Sequence, residues 1–378
     1  MFGLIPVFKV NYTVNQLFSA LFISNSSTVY REKLKSQICE YFGVKDTLLT
    51  SSARCALYML FNYLPHKKVI VPAYTCEVVI DAAKLANKNI EFVHVSKKTL
   101  NVLEYEEIDS DSIVIATHQY GLPCEIEKLV TLCKRNNAVL IEDCAGSLGS
   151  KVNGKLTGTF GDYAVFSFSA SKMLHSPTKG GFIIANNESS LSEIKKSISF
   201  SLDENNFKIK QLIKAVGFCI NKNRVACSVL GKLQNMRSKQ TKCCIYNSDI
   251  SYKANFYEWQ AYVLVEQFKY IDKFINERKK HVQTYDCNLN NSHIQKIHYT
   301  SECVNTRYPI LVKNRCDFIK WCKEHYIQVG LGYSKPIIPE NFNEENEINL
   351  EIVYLPLGAG YSDNDIKYVI SIVNSFKQ

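Results

Sequence analysis

One lysine, Lys172, stands in "FSFSASKMLHSPTKGGFIIAN" (166–186), between two apolar runs that read as buried strands. A lysine beside a sheet and away from bulk water has its pKa lowered and becomes a nucleophilic amine, able to form a Schiff base with a carbonyl. A lysine in an ordinary loop stays solvated and inert. Asp143 closes "AVLIED" (138–143). A carboxylate buried at a strand end needs a partner: it can pair with a cationic ring nitrogen or a metal, or it can cap the next turn. Ser51, Ser52 and Ala53 separate "DTLLT" from the helical run "CALYMLFNYL". A small-residue turn opening a helix offers N–H groups and the positive dipole end to a phosphate, and serine there is equally an ordinary N-cap. Each feature alone is weak. Their order is more informative: a phosphate turn, then a strand-end aspartate about ninety residues on, then Ser-x-x-x-x-Lys (Ser167 to Lys172) within thirty more. Those are the parts of a pyridoxal 5'-phosphate (PLP) site.

The elements that must position these residues are legible as alternating β-rich and helical stretches. "KVIVP" (68–72), "NIEFVHV" (89–95), "SIVIATH" (112–118), "AVLIEDC" (138–144), "DYAVFSF" (162–168) and "GGFIIAN" (180–186) read as buried strands. Segments of helical spacing such as 125–137 lie between the first four. This alternation predicts an α/β fold with a mostly parallel sheet covered on both faces. The last two runs have no full helix between them, so one of them is expected to be antiparallel. In open sheets of this kind ligands gather at the carboxyl ends of the strands, where Asp143 and Lys172 fall.

Residues 191–250 break the rhythm, carrying eleven Lys/Arg against four acids. Ile209, Leu212, Ile213, Val216 and Ile220 form one helical stripe, expected to dock on the main body or a partner subunit. Val229, Leu230, Leu233 and Met236 suggest a second helix. Peripheral membrane contact through 191–250 is the minor alternative. One long helix is expected from Phe256 through "EWQAYVLVEQFKYIDKFINERKKHVQTYDCNL", then strands at 307–312 and 327–330 and a closing helix capped by Ser362 and Asp365. The expected division is a large domain over 1–250, including the basic segment, and a linking helix with a small domain over 251–378.

Composition bounds the function. Apolar residues make up 46% and charged residues 21%, as in ordinary globular chains. No apolar run is long enough to span a bilayer, and the early "LFSALFIS" lacks a basic flank, so neither a membrane span nor a signal peptide is expected and the cytoplasm is the expected location. Fourteen cysteines occur without C-x-x-C or metal-ligand spacing and are expected to be reduced thiols, with no metal. The net charge of +9 invites nucleic acid, but no nucleic-acid-binding signature accompanies it and none is expected to bind.

At this point the chain resembles the DegT/StrS family of PLP-dependent nucleotide-sugar aminotransferases over nearly its full length. "YREKLKSQICEYFGVKDTLLTSSARCAL" is similar to the family's entry helix and phosphate loop, "VIVPAYTC" to its V-P-x-Y-T segment, and "ATHQYGLPCEIEKL" to its H-x-Y-G-x-P stretch. "VLIEDCAGSLGSKVNGKLTGTFGDYAVFSFSASK" matches its I-E-D-x-A…G-D…F-S-F-x-x-x-K order, and "VYLPLGAGYSDNDIKYVISIV" its closing segment. The resemblance implies a fold type I PLP-dependent transferase: a mostly parallel seven-stranded sheet with helices on both faces, plus a smaller C-terminal α/β domain, working as a homodimer. It implies Lys172 as the amine that binds the cofactor and later moves the proton, and Asp143 as the acid that keeps the pyridine nitrogen protonated. Ser167, with the turn at Ser52, Ala53 and Arg54, would contact the phosphate.

The chain departs from the family pattern at several points. Gly146 stands where the family has Gln or His, Cys76 where it stacks an aromatic on the ring, and Lys179 in its G-[DE]-G-G segment. Lys253 and Asn255 replace the partner-subunit Asn and Arg. The expected activity is transfer of an amino group from an amino acid, L-glutamate foremost, to a nucleotide-linked keto-sugar in surface polysaccharide or glycan synthesis. The alternatives are a non-catalytic regulator or assembly partner on the same scaffold, and another PLP reaction on a non-sugar ketone.

Overall fold

The computed structural model describes residues 3–105, 107–186, 191–197, 204–227, 255–333 and 337–377. Each of the six apolar runs contains a strand: β2 (Lys68–Pro72), β3 (Asn89–Val93), β4 (Ser112–Thr117), β5 (Val139–Asp143), β8 (Tyr163–Ser167) and β9 (Gly181–Ala185). With the short β1 (Thr47–Thr50) they form a seven-stranded sheet of order β1-β9-β8-β5-β4-β2-β3. A short hairpin, β6 (Lys151–Val152) and β7 (Lys155–Leu156), lies between β5 and β8 in the chain. Strands β3, β2, β4, β5 and β8 run parallel, whereas β9 pairs antiparallel with both β8 and β1. The reason is local: a parallel return needs a crossover of a dozen or more residues, usually helical, and the link after β8 is spent on the loop that carries Lys172.

Helices cover both faces. On one face α3 (Ala53–Tyr63) and α4 (Glu77–Leu85) bury Cys55, Leu57, Leu60, Val79 and Ile80 against Val69, Ile113 and Val165. On the other, α5 (Ile126–Asn136) packs Ile126 and Leu129 on Val114 and Leu140, and α2 (Val29–Phe42) packs beside the sheet with Phe42 against Phe166 and Phe182. An unbroken row of buried strand residues, as in β4, is what a sheet covered on both sides requires.

The expected single helix after Phe256 is two helices, α8 (Glu258–Phe268) and α9 (Ile271–Asn288), broken at Lys269 and Tyr270. The apolar pattern runs on through the break, and no Gly or Pro marks it, so periodicity misses it. The two halves do different work: α8 is buried nearly all round, between α2 and the loop after β8, while α9 buries one side, through Val282 and Tyr285, in the smaller core. That core belongs to an antiparallel sheet of order β10 (Ile294–Lys296), β11 (Tyr308–Val312), β13 (Ile352–Leu355) and β12 (Gly330–Leu331). It is flanked by α10 (Arg315–Glu324), α11 (Asn343–Glu351) and α12 (Asp363–Asn374). The strand expected at 327–330 is shorter and later. Ile327 instead bridges in parallel to Ile5, which sits in the same core. The Ser362–Asp365 capping box is present at the start of α12.

In the basic segment, α6 (Leu191–Lys196) adds Leu191 and Ile194 to the core under α3, and α7 (Glu204–Ile220) packs on α1 (Val14–Leu21). The stripe expected on α7 is only half used. Leu212, Ala215 and Val216 dock against Leu17, Ala20 and Trp259, but Ile209 and Ile213 are 54% and 67% exposed. The helix is rotated from the expected face, so Ala215 is buried in place of Ile213. The second helix expected at 229–236 lies outside the described residues. No helix among the described residues is long and apolar enough to cross a membrane. Among the described residues the twelve cysteines form no disulfide with one another.

Candidate active site

The strand ends converge on one cavity of about 400 Å³. Its wall is built from residues at or after the carboxyl ends of β1 (Ser52, Ala53, Arg54), β2 (Cys76), β4 (His118, Tyr120), β5 (Asp143, Gly146) and β8 (Ser167, Ser169, Lys172), and from Lys179 and Gly180 leading into β9. Eight of the nine residues expected at the site therefore meet there; Lys253 lies outside the described residues. The small domain closes the cavity with Arg307, Tyr333 and Tyr354.

Lys172 sits on a turn in which its backbone N–H donates to Ser169 O (2.9 Å), within a loop pinned from two sides. Phe168 N–H donates to Gly180 O, and Ser176 N–H to Phe168 O. From α8, Gln267 exchanges bonds with the His175 backbone (3.0 and 2.7 Å), and the Gln260 amide donates to Thr178 Oγ1 (2.6 Å) and Lys179 O (2.8 Å). These contacts hold the backbone that carries a flexible side chain. Burial, and then the positive charge of Arg307, push the Lys172 amine down to about 8, with Asp143 opposing. A useful fraction is then unprotonated near neutral pH, as a nucleophilic amine requires.

Asp143 ends β5 with 8% of its surface exposed. Its Oδ1 accepts the Ala145 N–H (3.0 Å), and it forms no ion pair among the described residues. Burial raises its pKa; the Ala145 N–H and the charge of Lys172 oppose that only in part. A cation placed against it would reverse the balance. Its neighbour Glu142 points the other way and is richly hydrogen-bonded. Glu142 accepts from Gly158 N–H (2.7 Å), Phe160 N–H (2.7 Å), Gly161 N–H (2.8 Å) and His118 Nε2 (3.0 Å). Because His118 Nδ1 accepts the Cys124 N–H (3.2 Å), the ring proton is assigned to Nε2. Cys144 approaches the same pair, but the trio ties the 158–161 loop to β4 and β5 and so fixes the backbone on either side of Asp143. Glu142→Ala is therefore expected to cost roughly 3 kcal/mol or more of folding stability, as loss of a buried paired charge does. Urea denaturation would measure this, and an unchanged midpoint would refute the anchoring role.

At the opposite end Ser52 caps α3, its Oγ accepting the Cys55 N–H (3.1 Å), so capping and pocket lining coincide. Gly181 makes this end narrow: a Cβ there would lie 2.5 Å from Phe166 O and 2.8 Å from Ala53 N. Ser167 Oγ accepts the Ser169 N–H at 3.4 Å. Lys179 adds positive charge; burial, then Arg54 and Lys214, lower its pKa. Cys76 precedes α4 as a neutral thiol, pushed up to about 12 by burial and Glu77. Gly146 is not compelled by packing, since an added Cβ would meet its nearest neighbours, His118 O and Tyr120 N, at 3.4 Å.

These residues fit PLP. A buried carboxylate that forms no ion pair among the described residues faces the cavity, a lowered-pKa amine shares it, and a capped helix start beside a closely packed glycine of β9 lines it too. Thr117 Oγ1, also on the cavity wall, is buried without a hydrogen-bond partner among the described residues. The sequence pattern does not point to Arg307, Tyr333 and Tyr354. Its only available signal is an arginine directly ahead of the apolar run "YPILV".

The model of the DegT/DnrJ/EryC1/StrS aminotransferase family matches residues 11–374. GDP-perosamine synthase of Escherichia coli O157:H7 is 30% identical over 197 residues, 49% of this chain and 54% of that one, so the chain matches about half that relative's length. A pleiotropic regulatory protein of Geobacillus stearothermophilus is 24% identical over 92% of this chain and 89% of that one. Among solved structures, a Streptococcus pneumoniae chain assigned as a sugar aminotransferase, in its PLP form, superposes with a TM-score of 0.75 at 19% identity, covering 98% of both chains. At that identity the superposition establishes the fold.

Proposed function

We propose, from the premise that the chain belongs to the DegT/DnrJ/EryC1/StrS aminotransferase family, that it is a PLP-dependent aminotransferase. It would move an amino group from an amino acid, L-glutamate, to a keto-sugar carried on a nucleotide. The observation that carries this reading is the placement of Lys172 and Asp143 on one cavity, the amine with its pKa lowered and the carboxylate buried without an ion pair among the described residues, so that a cationic ring nitrogen would both satisfy it and restore its charge. The similarity to a GDP-perosamine synthase supports a nucleotide-linked sugar as substrate, and a place in surface polysaccharide or glycan synthesis is part of the same proposal.

When bound, PLP supplies a carbonyl carbon that accepts an amine and a ring that accepts electron density. The chain's own residues do the rest. Lys172 Nζ, unprotonated in part near neutral pH, can attack a carbonyl and afterwards hold or return a proton at the same atom. The Asp143 carboxylate orients and keeps charged a cationic nitrogen set against it. Ser52, Ala53, Arg54, Ser167 and Lys179 would hold the phosphate at the start of α3, where backbone N–H groups and helix dipole favour an anion. Cys76 and the tyrosines of the small domain exclude water. The same reading includes a homodimer; light scattering at twice the chain mass would support it.

The test is chromophoric. Protein reconstituted with PLP is expected to absorb in the visible, to carry a reduced pyridoxyl group on the peptide containing Lys172 after borohydride, and to bleach with L-glutamate. Protein that takes up no PLP would overturn the assignment. It would favour the second reading, a regulator on this scaffold, to which the near full-length similarity to the pleiotropic regulatory protein lends specific support.

A further inference from the structure

Arg307 enters the cavity from the small domain, one residue ahead of β11. Its guanidinium lies 4.3 Å from the Tyr354 ring centroid and 5.9 Å from that of Tyr120, and its Nη2 donates to Ser171 Oγ (3.1 Å). A guanidinium carries five N–H donors. Among the described residues that single hydrogen bond is all Arg307 makes, and no carboxylate pairs with it. Other arginines of the chain are differently placed: Arg31 pairs with Glu258, Arg224 with Asp365, and Arg278 donates to the Asn305 and Thr306 carbonyls. A charge withdrawn from bulk water without a counter-charge is costly unless a partner arrives.

The wall around Arg307 is rigid. Tyr74 and Tyr120 share a hydroxyl hydrogen bond (2.8 Å), the Gln119 amide donates to Tyr74 O (2.6 Å), and Tyr333 OH donates to Gln119 Oε1 (2.7 Å). Tyr333 in turn packs on Tyr74 (5.0 Å) and Tyr120 (6.0 Å). Two aromatic rings therefore restrict the guanidinium and leave its remaining N–H groups for a ligand in the cavity, the arrangement suited to a planar, two-oxygen anion. The cavity as a whole has cationic excess: Arg54, Lys172, Lys179 and Arg307 against Glu77 and Asp143. Arg54 and Lys179 belong to the α3 end, which leaves Arg307 as the cation of the small-domain wall.

We propose that Arg307 receives a carboxylate of the substrate, seated against Tyr120 and Tyr354 beside Lys172. The inference rests on the aminotransferase reading and deepens it by requiring one acidic substrate. The carboxylate comes either from the amino donor or from an acidic keto-sugar. Occupancy has a consequence for Lys172, because neutralising Arg307 removes the positive charge that helps hold the amine's pKa down; substrate arrival makes Lys172 a stronger base.

The test compares wild type with Arg307→Gln and Arg307→Lys, each reconstituted with PLP. In the bleaching half-reaction, Arg307→Gln is expected to raise the half-saturating L-glutamate concentration about 100-fold, the loss expected for a charge-assisted two-point contact. The rate at saturation should change much less, the spectrum of bound PLP should be unaltered, and Arg307→Lys should recover part of the affinity. If glutamate is unaffected but amination of a uronate-type keto-sugar loses the same factor against its neutral counterpart, the proposal stands with the acceptor as source. If neither changes, it is overturned. A separate arm needs no chemistry: calorimetric titration of glutarate into cofactor-free protein should show binding to wild type and none to Arg307→Gln. Equal binding to both would overturn the proposal. This arm also separates its failure from that of the aminotransferase reading, which falls on absence of PLP uptake alone.

Discussion

Lys172→Ala is expected to lower turnover by about four orders of magnitude or more, the upper range for removing a positioned acid–base group, because one atom performs two tasks. Nζ captures a carbonyl and afterwards holds or returns a proton, in an environment set by burial and by the opposing charges of Arg307 and Asp143. The variant should also lack any pyridoxyl group fixable by borohydride, and a small amine such as methylamine added to the medium should restore a fraction of the lost rate. Turnover at the wild-type level would remove the assignment altogether.

Removing the same amine has a stability signature of opposite sign. Lys172 titrates near 8 in the folded chain against an ordinary 10.5. Below pH 8 both the folded and unfolded chains hold the proton, and the folded one bears the full cost of a buried ammonium. Between 8 and 10.5 the unfolded chain binds more protons, so stability rises with pH until the cost is gone. At 1.36 kcal/mol per pKa unit the penalty at pH 7 is ~3 kcal/mol. Cofactor-free Lys172→Met is therefore expected to melt higher than cofactor-free wild type at pH 7, with the difference shrinking above pH 8. A variant that melts lower would mean that Lys172 is held by contacts and not merely tolerated.

The sheet is readable from sequence because its strands are buried on both faces and so appear as unbroken apolar runs; β2 coincides with its run, and β5 and β8 fall one residue inside theirs. Asp143, Lys172 and Ser52 are readable for a related reason, since polar residues that interrupt such runs at their ends must be explained. The break at Lys269–Tyr270 is not, because both halves of the pattern are apolar enough to continue. The rotation of α7 is not, because Ala215 and Ile213 both fit a helical stripe and only the partner surface on α1 decides between them. Arg307 is invisible for a third reason. Its significance lies in what does not pair with it, and a missing partner is a three-dimensional fact. The family resemblance carries Cys76 and Gly146 to the site as departures, yet the residues that close the cavity opposite them come from the small domain, about 160 to 210 positions beyond Gly146 in the chain.

Asp143→Asn should keep the fold and lose most of the chemistry. Asparagine is isosteric and can still accept the Ala145 N–H through Oδ1, so β5 and its neighbours are not disturbed. What it cannot do is carry the negative charge that a cationic nitrogen requires. Removing such a fixed, preorganised charge from a water-poor site is expected to reduce kcat about 10²- to 10³-fold, and PLP should dissociate more readily on dialysis. Cofactor-free protein should behave in the reverse sense. Burial raises the Asp143 pKa, so the folded chain bears a cost for ionising it at neutral pH, and the asparagine variant is expected to be at least as stable as wild type there. Acid pH provides the second discriminant. Wild type should release PLP as the pH falls toward the raised folded-state pKa, above the ordinary 3.8, because protonation cancels the charge. Asp143→Asn should bind weakly at every pH, with that acid limb missing. If the acid limb survived in the variant, the titrating group would lie elsewhere on the cavity wall and Asp143 would be only the end of a strand.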